Sequence, residues 1–177
     1  MARVGASSTG LVVRGTLRRS VIALCRPSPA LARVDAALLG VRTVLAWIFT
    51  YYGAGKLFGA FHGPGIHRTA QFFATTAHLR PGGLFAVTGG VIELGGAITV
   101  GLGLAARLGA FGLLVDQVIA MVTVTWVHGI NSLSATPGYE FNLALAALAL
   151  VVTLLGAGRV SLDDVALTRL MRPTPRP

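Results

Sequence analysis

At 177 residues the chain has the length of one domain, and with 54% hydrophobic and 12% charged residues it falls far below the roughly 25% charge of a soluble protein. That composition reads as an integral membrane protein. The formal charge of +9 comes from fourteen arginines and one lysine. They cluster in the two ends, with no aromatic-interleaved basic stripe and no helix-turn-helix pattern, so the expected partner is the lipid bilayer and not nucleic acid.

Residues 1–35 hold Arg3, Arg14, Arg18, Arg19, Arg26 and Arg33 with short apolar runs between them. This basic arm reads either as an amphipathic helix on the membrane surface or as a disordered extension. It lacks the apolar run and small-residue cleavage site of a signal peptide. Cys25 is the only cysteine, which leaves no pair for a disulfide or a dithiol relay, and it is expected to be dispensable. Pro27 and Pro29 are expected to break whatever precedes the first span.

Residues 36–59 form the first candidate span, interrupted by Arg42 and Lys56 alone among charged residues. Fourteen residues is four helical turns, so the two cations share one face with Phe49 and Gly53. Lys56, with Tyr51 and Tyr52, suits an anchor at the headgroup level. Arg42 lies deeper, about 9 Å from the cytoplasmic end, and calls for an acidic partner.

Residues 60–83 make a polar connection rich in glycine and proline, within which 67–79 has the pattern of a short interfacial helix. His62, His67 and His78 stand at spacings of five and eleven, which fit no compact metal-ligand pattern and favour a solvated loop.

Residues 84–104 carry one ionisable group, Glu93, over a length that spans a bilayer. On a helix Gly89, Glu93, Gly96, Val100 and Gly103 form one seam. That seam must face protein, because a carboxylate in hydrocarbon is costly and glycines let a neighbouring backbone come close. A tight turn at Ala105, Ala106 and Arg107 leads to a third span, 108–127, with Asp116 and Gln117. After a turn-rich loop, 128–139, the fourth span covers 140–156 and carries Asn142. Arg42, Glu93, Asp116, Gln117 and Asn142 are the candidates for a polar pocket. Depth counting brings Arg42, Asp116 (about 12 Å) and Glu93 (about 16 Å) within one arginine side chain of each other, so an ion pair of Arg42 with Glu93, Asp116 or both is expected.

The expected fold is therefore all-α, an integral membrane four-helix bundle with short loops. It comprises the arm 1–35, a membrane domain 36–165 and an Arg/Pro tail 166–177 read as disordered. Eleven arginines fall on one side of such a topology and two on the other, which places both termini in the cytoplasm of a multi-pass cell-membrane protein.

Three segments carry a family resemblance: RTVLAWIFTYYGAGKLFGAF with Arg42, Gly53 and Lys56 to Phe58; ELGGAITVGLGLAAR with Glu93, Gly96 and Arg107; and GAGRVSLD with Gly156, Gly158, Arg159, Ser161 and Asp163. In this order and spacing the chain resembles the DoxX family of small four-helix membrane proteins over about residues 40–165. Val160 stands where the family commonly has an aromatic, and the long arginine-rich arm is outside the family pattern. The resemblance implies a redox setting, as a membrane subunit of a sulfur-compound:quinone oxidoreductase or a partner of oxidative-stress enzymes. It supplies no agreed set of catalytic residues. The implied cofactor is a quinone, with none intrinsic: there is no cysteine set for an iron–sulfur cluster, and GLGLAARLG sits between two spans and not after a strand, so it is no dinucleotide fingerprint. Soluble redox enzymes on the cytoplasmic side and further copies of the chain are the implied protein partners.

Three function classes compete. In the first the polar pocket is the quinone-facing part of a redox subunit, where a buried carboxylate holds or passes a proton. In the second the chain is a scaffold whose buried polar contacts fix helix register while its ends recruit soluble proteins. The third, a small-solute or proton transporter, is weakest because the halves are not repeated and no span is interrupted.

Overall fold

The computed structural model describes residues 28–131 and 136–170, with side chains from 32 to 166. Among them every regular element is helical. The basic arm up to residue 27, Cys25, the centre of the second loop and the prolines that end the tail lie outside the described residues. The chain divides into Met1–Val34 and Asp35–Pro177; the second unit holds every contact considered below.

Helix α1 runs Ser28–Phe58, beginning well before the expected span. Pro29 does not break it, because in the first turn of a helix a missing N–H costs no intrahelical bond. Arg42, Leu45, Phe49 and Gly53 face inward and are buried, whereas Val44, Trp47 and Tyr51 face out. Gly59, at φ 71, and a 3-10 turn over Ala60–His62 lead into a short amphipathic helix, α2, Gly65–Thr75. It stops four residues earlier than expected, since His78 adopts φ 55, a left-handed conformation that cannot continue a helix.

Helix α3, Gly82–Leu102, starts on the glycines expected to be turn residues. Gly103, at φ 68, ends it, with the Leu104 N–H donating to the Thr99 carbonyl, the six-to-one bond of a left-handed helix stop. Helix α4, Ala106–Ala120, follows directly, then a wider π turn over Met121–Thr125 and a 3-10 turn over Trp126–His128. Helix α5 spans Glu140–Leu155, stopped by Gly156 at φ 85. Helix α6, Leu162–Leu170, carries regular structure into a stretch read from composition as disordered.

Three helical stretches are long and apolar enough to cross a membrane: Ala32–Phe58, Gly82–Leu102 and Ala106–His128. The fourth expected span is shorter. Sixteen residues of α5 extend about 24 Å, less than the roughly 30 Å hydrocarbon core. Leu45, Phe49, Ala97, Val100, Leu113, Leu145 and Val152 form one core. Outside it, Trp47, Leu108, Val122 and Leu154 are exposed, an apolar exterior suited to lipid and a liability in water.

The glycines set the helix register. A Cβ on Gly53 would lie 2.7 Å from the Leu94 nitrogen, and one on Gly101 would lie 3.0 Å from the Ala46 Cβ. Both pairs are seven residues apart on each helix, so α1 and α3 run antiparallel with position 53 level with 94. On the other side of α3, Gly96 meets the Gly109 carbonyl and Gly89 meets the Asp116 carboxylate. This is again a seven-residue antiparallel step. The seam of Gly89, Glu93, Gly96, Val100 and Gly103 is buried throughout, because it is the surface on which α1 and α4 both close.

Candidate functional site

Register decides where the two cations of α1 go. Position 42 is level with 105, at the end of α3, and position 56 is level with 91, within one turn of Glu93. The expected ion pair between Arg42 and Glu93 or Asp116 does not form. Twelve residues, about 18 Å of helix, separate the Arg42 level from Glu93, beyond an arginine's reach.

Arg42 instead ties helix ends together. Its Nε donates to the Val100 carbonyl at 2.8 Å and its Nη2 to Gly101 at 2.9 Å, while Nη1 donates to Ala157 and Val160, each at 2.7 Å. The last carbonyls of a helix have no intrahelical partner. A planar guanidinium with five donors can serve two of them, Val100 and Gly101, whose partial negative charge favours a cation, and still reach Ala157 and Val160 in the connection after α5. The same end is closed by Asp163, whose carboxylate accepts from the N–H groups of Ala105 (2.9 Å) and Ala106 (3.4 Å) ahead of α4. Ser161 Oγ donates to the Gly158 carbonyl and accepts from the Asp164 N–H, and Asp35 accepts from the Arg159 N–H. All three sequence segments that carry the resemblance meet at this end.

Lys56 takes the place expected of Arg42. Its Nζ donates to Glu93 Oε1 at 2.6 Å, with the lysine side chain 25% exposed and the glutamate 3%. Lys56, expected as a headgroup anchor, is engaged by a carboxylate on α3. The absence of side chains at Gly53 and Gly90, where a Cβ would press into Leu57, lets α1 and α3 approach closely enough for the pair to form. Asp116, against Gly89, adds a second carboxylate within electrostatic range of both groups.

From Asp116 a chain of hydrogen bonds runs outward. Gln117 Nε2 donates to Asp116 Oδ2 (3.0 Å), Asn142 Nδ2 donates to Gln117 Oε1 (2.9 Å), and Thr125 Oγ1 in the π turn donates to Asn142 Oδ1 (3.2 Å). Glu93, Asp116, Gln117 and Asn142 are therefore brought together, and Arg42 stands apart from them.

These groups lie in the wall of a cavity of about 760 Å³. Phe49, Tyr52, Phe72, Phe73 and Phe141 give it apolar faces, α2 lies along one side, and His62 and Arg68 also line it. Tyr52 packs near Phe141 with ring centroids 6.3 Å apart, and Tyr51 stacks on Phe61 at 5.3 Å. The tyrosine pair expected at the headgroup level thus also borders the cavity. A space of this size with mostly apolar walls and a few converging polar groups is the form of a small-molecule site. Chemically it can hold an aromatic ring between phenyl faces while one end of that ring meets an ammonium and carboxylates.

Depth counting misplaced Arg42, Lys56 was expected as an anchor and not as the partner of Glu93, Phe73 was expected to dip into the lipid boundary with Phe72, and Phe141 was not singled out. The signal for Lys56 was present: a cation one turn from a glycine, on the face of Arg42. Phe141 had none, because its role comes from where α5 docks.

Among known proteins, the family model of DoxX matches residues 37–126, just over half of the chain. The match includes Arg42, Lys56, Glu93, Asp116 and Gln117 and ends before Asn142 and the 156–163 segment. No curated protein and no solved structure matches the chain. With the match spanning the paired helices α1 and α3 and all of α4, the chain belongs to the DoxX family.

Proposed function

We propose that the protein is a multi-pass membrane subunit of a redox complex that binds a quinone in the cavity beside Lys56, Glu93 and Asp116. One observation carries this reading: an ion pair between a half-buried lysine and a buried glutamate, with a second carboxylate, sits in the wall of an aromatic cavity of about 760 Å³. An ionisable cluster at membrane depth is expensive to maintain, and a ring with polar substituents and an apolar tail makes use of both its parts. With a single cysteine the chain builds no iron–sulfur centre from its own side chains. In this reading a soluble partner on the cytoplasmic side exchanges electrons with the quinone, in sulfur-compound oxidation or oxidative-stress defence.

The same proposal takes α1, α3, α4 with its continuation, and α5 as a four-helix membrane bundle with the Arg42 end in the cytoplasm. The arginine bias of eleven to two supports that orientation.

The test is to purify the full-length protein in mild detergent, extract it with organic solvent and measure quinone per protein. The proposal expects a stoichiometric quinone in the unaltered protein and its loss in Lys56→Met. Extracts without quinone, from protein that still captures soluble enzymes, would establish a scaffold instead.

A further inference from the structure

Glu93 Oε1 is satisfied by Lys56, but its second oxygen is not. Oε2 is the one buried side-chain oxygen or nitrogen with no hydrogen-bond partner among the described residues, on a side chain 3% exposed. A buried carboxylate oxygen without a donor is costly, and Asp116, an acceptor when ionised, does not meet the need. Beside it stands Lys56 Nζ, which has three donors and gives one of them to Oε1.

We infer that the cavity recognises a hydroxyl group, so that the ligand of this site is a hydroquinone or a phenol of the same shape in preference to the quinone. The inference rests on the cavity reading above and adds the chemical form of the ligand. An acceptor and a donor side by side on the cavity wall complement a group that is both. A hydroxyl oxygen accepts from Lys56 Nζ while its O–H donates to Glu93 Oε2. A quinone carbonyl only accepts, so it takes the lysine's bond and leaves Oε2 as it was. The second bond is charge-assisted and of the stronger class.

The charged and titratable groups that line this space are Lys56, Tyr51 and Tyr52 from α1, Glu93 from α3 and Asp116 from α4, with His62 and Arg68 also on the wall. None of the others is hydrogen-bonded to Oε2. Within the protein the competitor for that oxygen is Asp116, whose carboxyl group interacts with Glu93 and can donate to it only when protonated.

The experiment is calorimetric titration of the detergent-purified full-length protein with three short-chain probes that share one ring: the hydroquinone, the quinone, and the hydroquinone dimethyl ether, which has no donor. The expected result is hydroquinone binding about tenfold or more tighter than both of the others. In Glu93→Gln the ratio of hydroquinone to quinone affinity should fall to about threefold or less, since a neutral amide oxygen is the weaker acceptor. Equal affinity for hydroquinone and quinone in the unaltered protein overturns the hydroxyl inference while leaving the cavity reading in place. No binding of any probe overturns both. The comparison in the unaltered protein needs no variant and decides the matter if Glu93→Gln fails to fold.

Discussion

Arg42 and Lys56 share one face of α1, and the difference between a guanidinium and an ammonium sorts them to opposite roles. The flat fork of Arg42 serves four carbonyls, two at the end of α3 and two in the connection after α5, which a lysine's single nitrogen cannot reach together. Arg42→Lys should therefore lower stability by about 3 kcal/mol, read from unfolding in detergent. A change under about 0.5 kcal/mol, the range of an uninvolved surface site, would refute that role. Lys56→Met strands Glu93 and should cost about 3 to 5 kcal/mol. Lys56→Met combined with Glu93→Leu removes both charges and should recover most of the loss. A double-mutant cycle checks this: additive losses would mean that the pair does not interact in the folded protein. At this scale the glycine-flanked Glu93 was legible from helical spacing, and burial of its seam was expected. Its partner was misassigned to Arg42, because counting depth from the first apolar residue ignores the helix-to-helix register that puts Arg42 at the end of α3.

Between elements, register comes from glycines in close contact. Gly53 against Leu94 and Gly101 against Ala46 lock α1 to α3, and Gly96 and Gly89 lock α3 to α4. Gly53→Ala should push α1 off α3, costing about 1 to 3 kcal/mol as an overpacked contact does, and should weaken ligand binding by lengthening the Lys56–Glu93 bond. Gly83→Ala, where a Cβ meets nothing within 4 Å, is the control expected to change neither. If the two variants unfold at the same temperature, close approach at Gly53 is not what holds the helices. The helices themselves could be read from apolar runs and glycine stops, since those signals are local. Helix starts were less legible: Pro29 and Gly82 punctuate a chain in isolation, yet both fall inside first turns, where their usual penalties lapse.

For the whole molecule, the ends of the helices divide the work. The Arg42 end is tied by hydrogen bonds that Arg42 donates and that Asp163 and Asp35 accept, and the Lys56 end carries the cavity and its aromatic rim. In the proposed orientation the first faces the cytoplasm. Cysteines placed at the exposed positions Asp164 and Thr75 in a Cys25→Ser background should react differently with an impermeant thiol reagent in intact cells. Labelling is expected at 75 and not at 164, and the reverse pattern would invert the topology. The cavity was legible only in part. Polar stripes pointed to a pocket between helices, but its aromatic faces depend on α2 folding back along α3, which no stretch of sequence encodes alone.

The most direct measurement is photolabelling with an azido-substituted quinone in native membranes, followed by mapping of the labelled residues. If the cavity beside Lys56 and Glu93 is the ligand site, label should fall on its lining, at Phe73, Thr88 or Phe141. Unlabelled quinone should suppress it, and Lys56→Met should lose it. Label that instead collects on outward residues such as Trp47 and Leu154, and that excess quinone does not displace, would contradict the account.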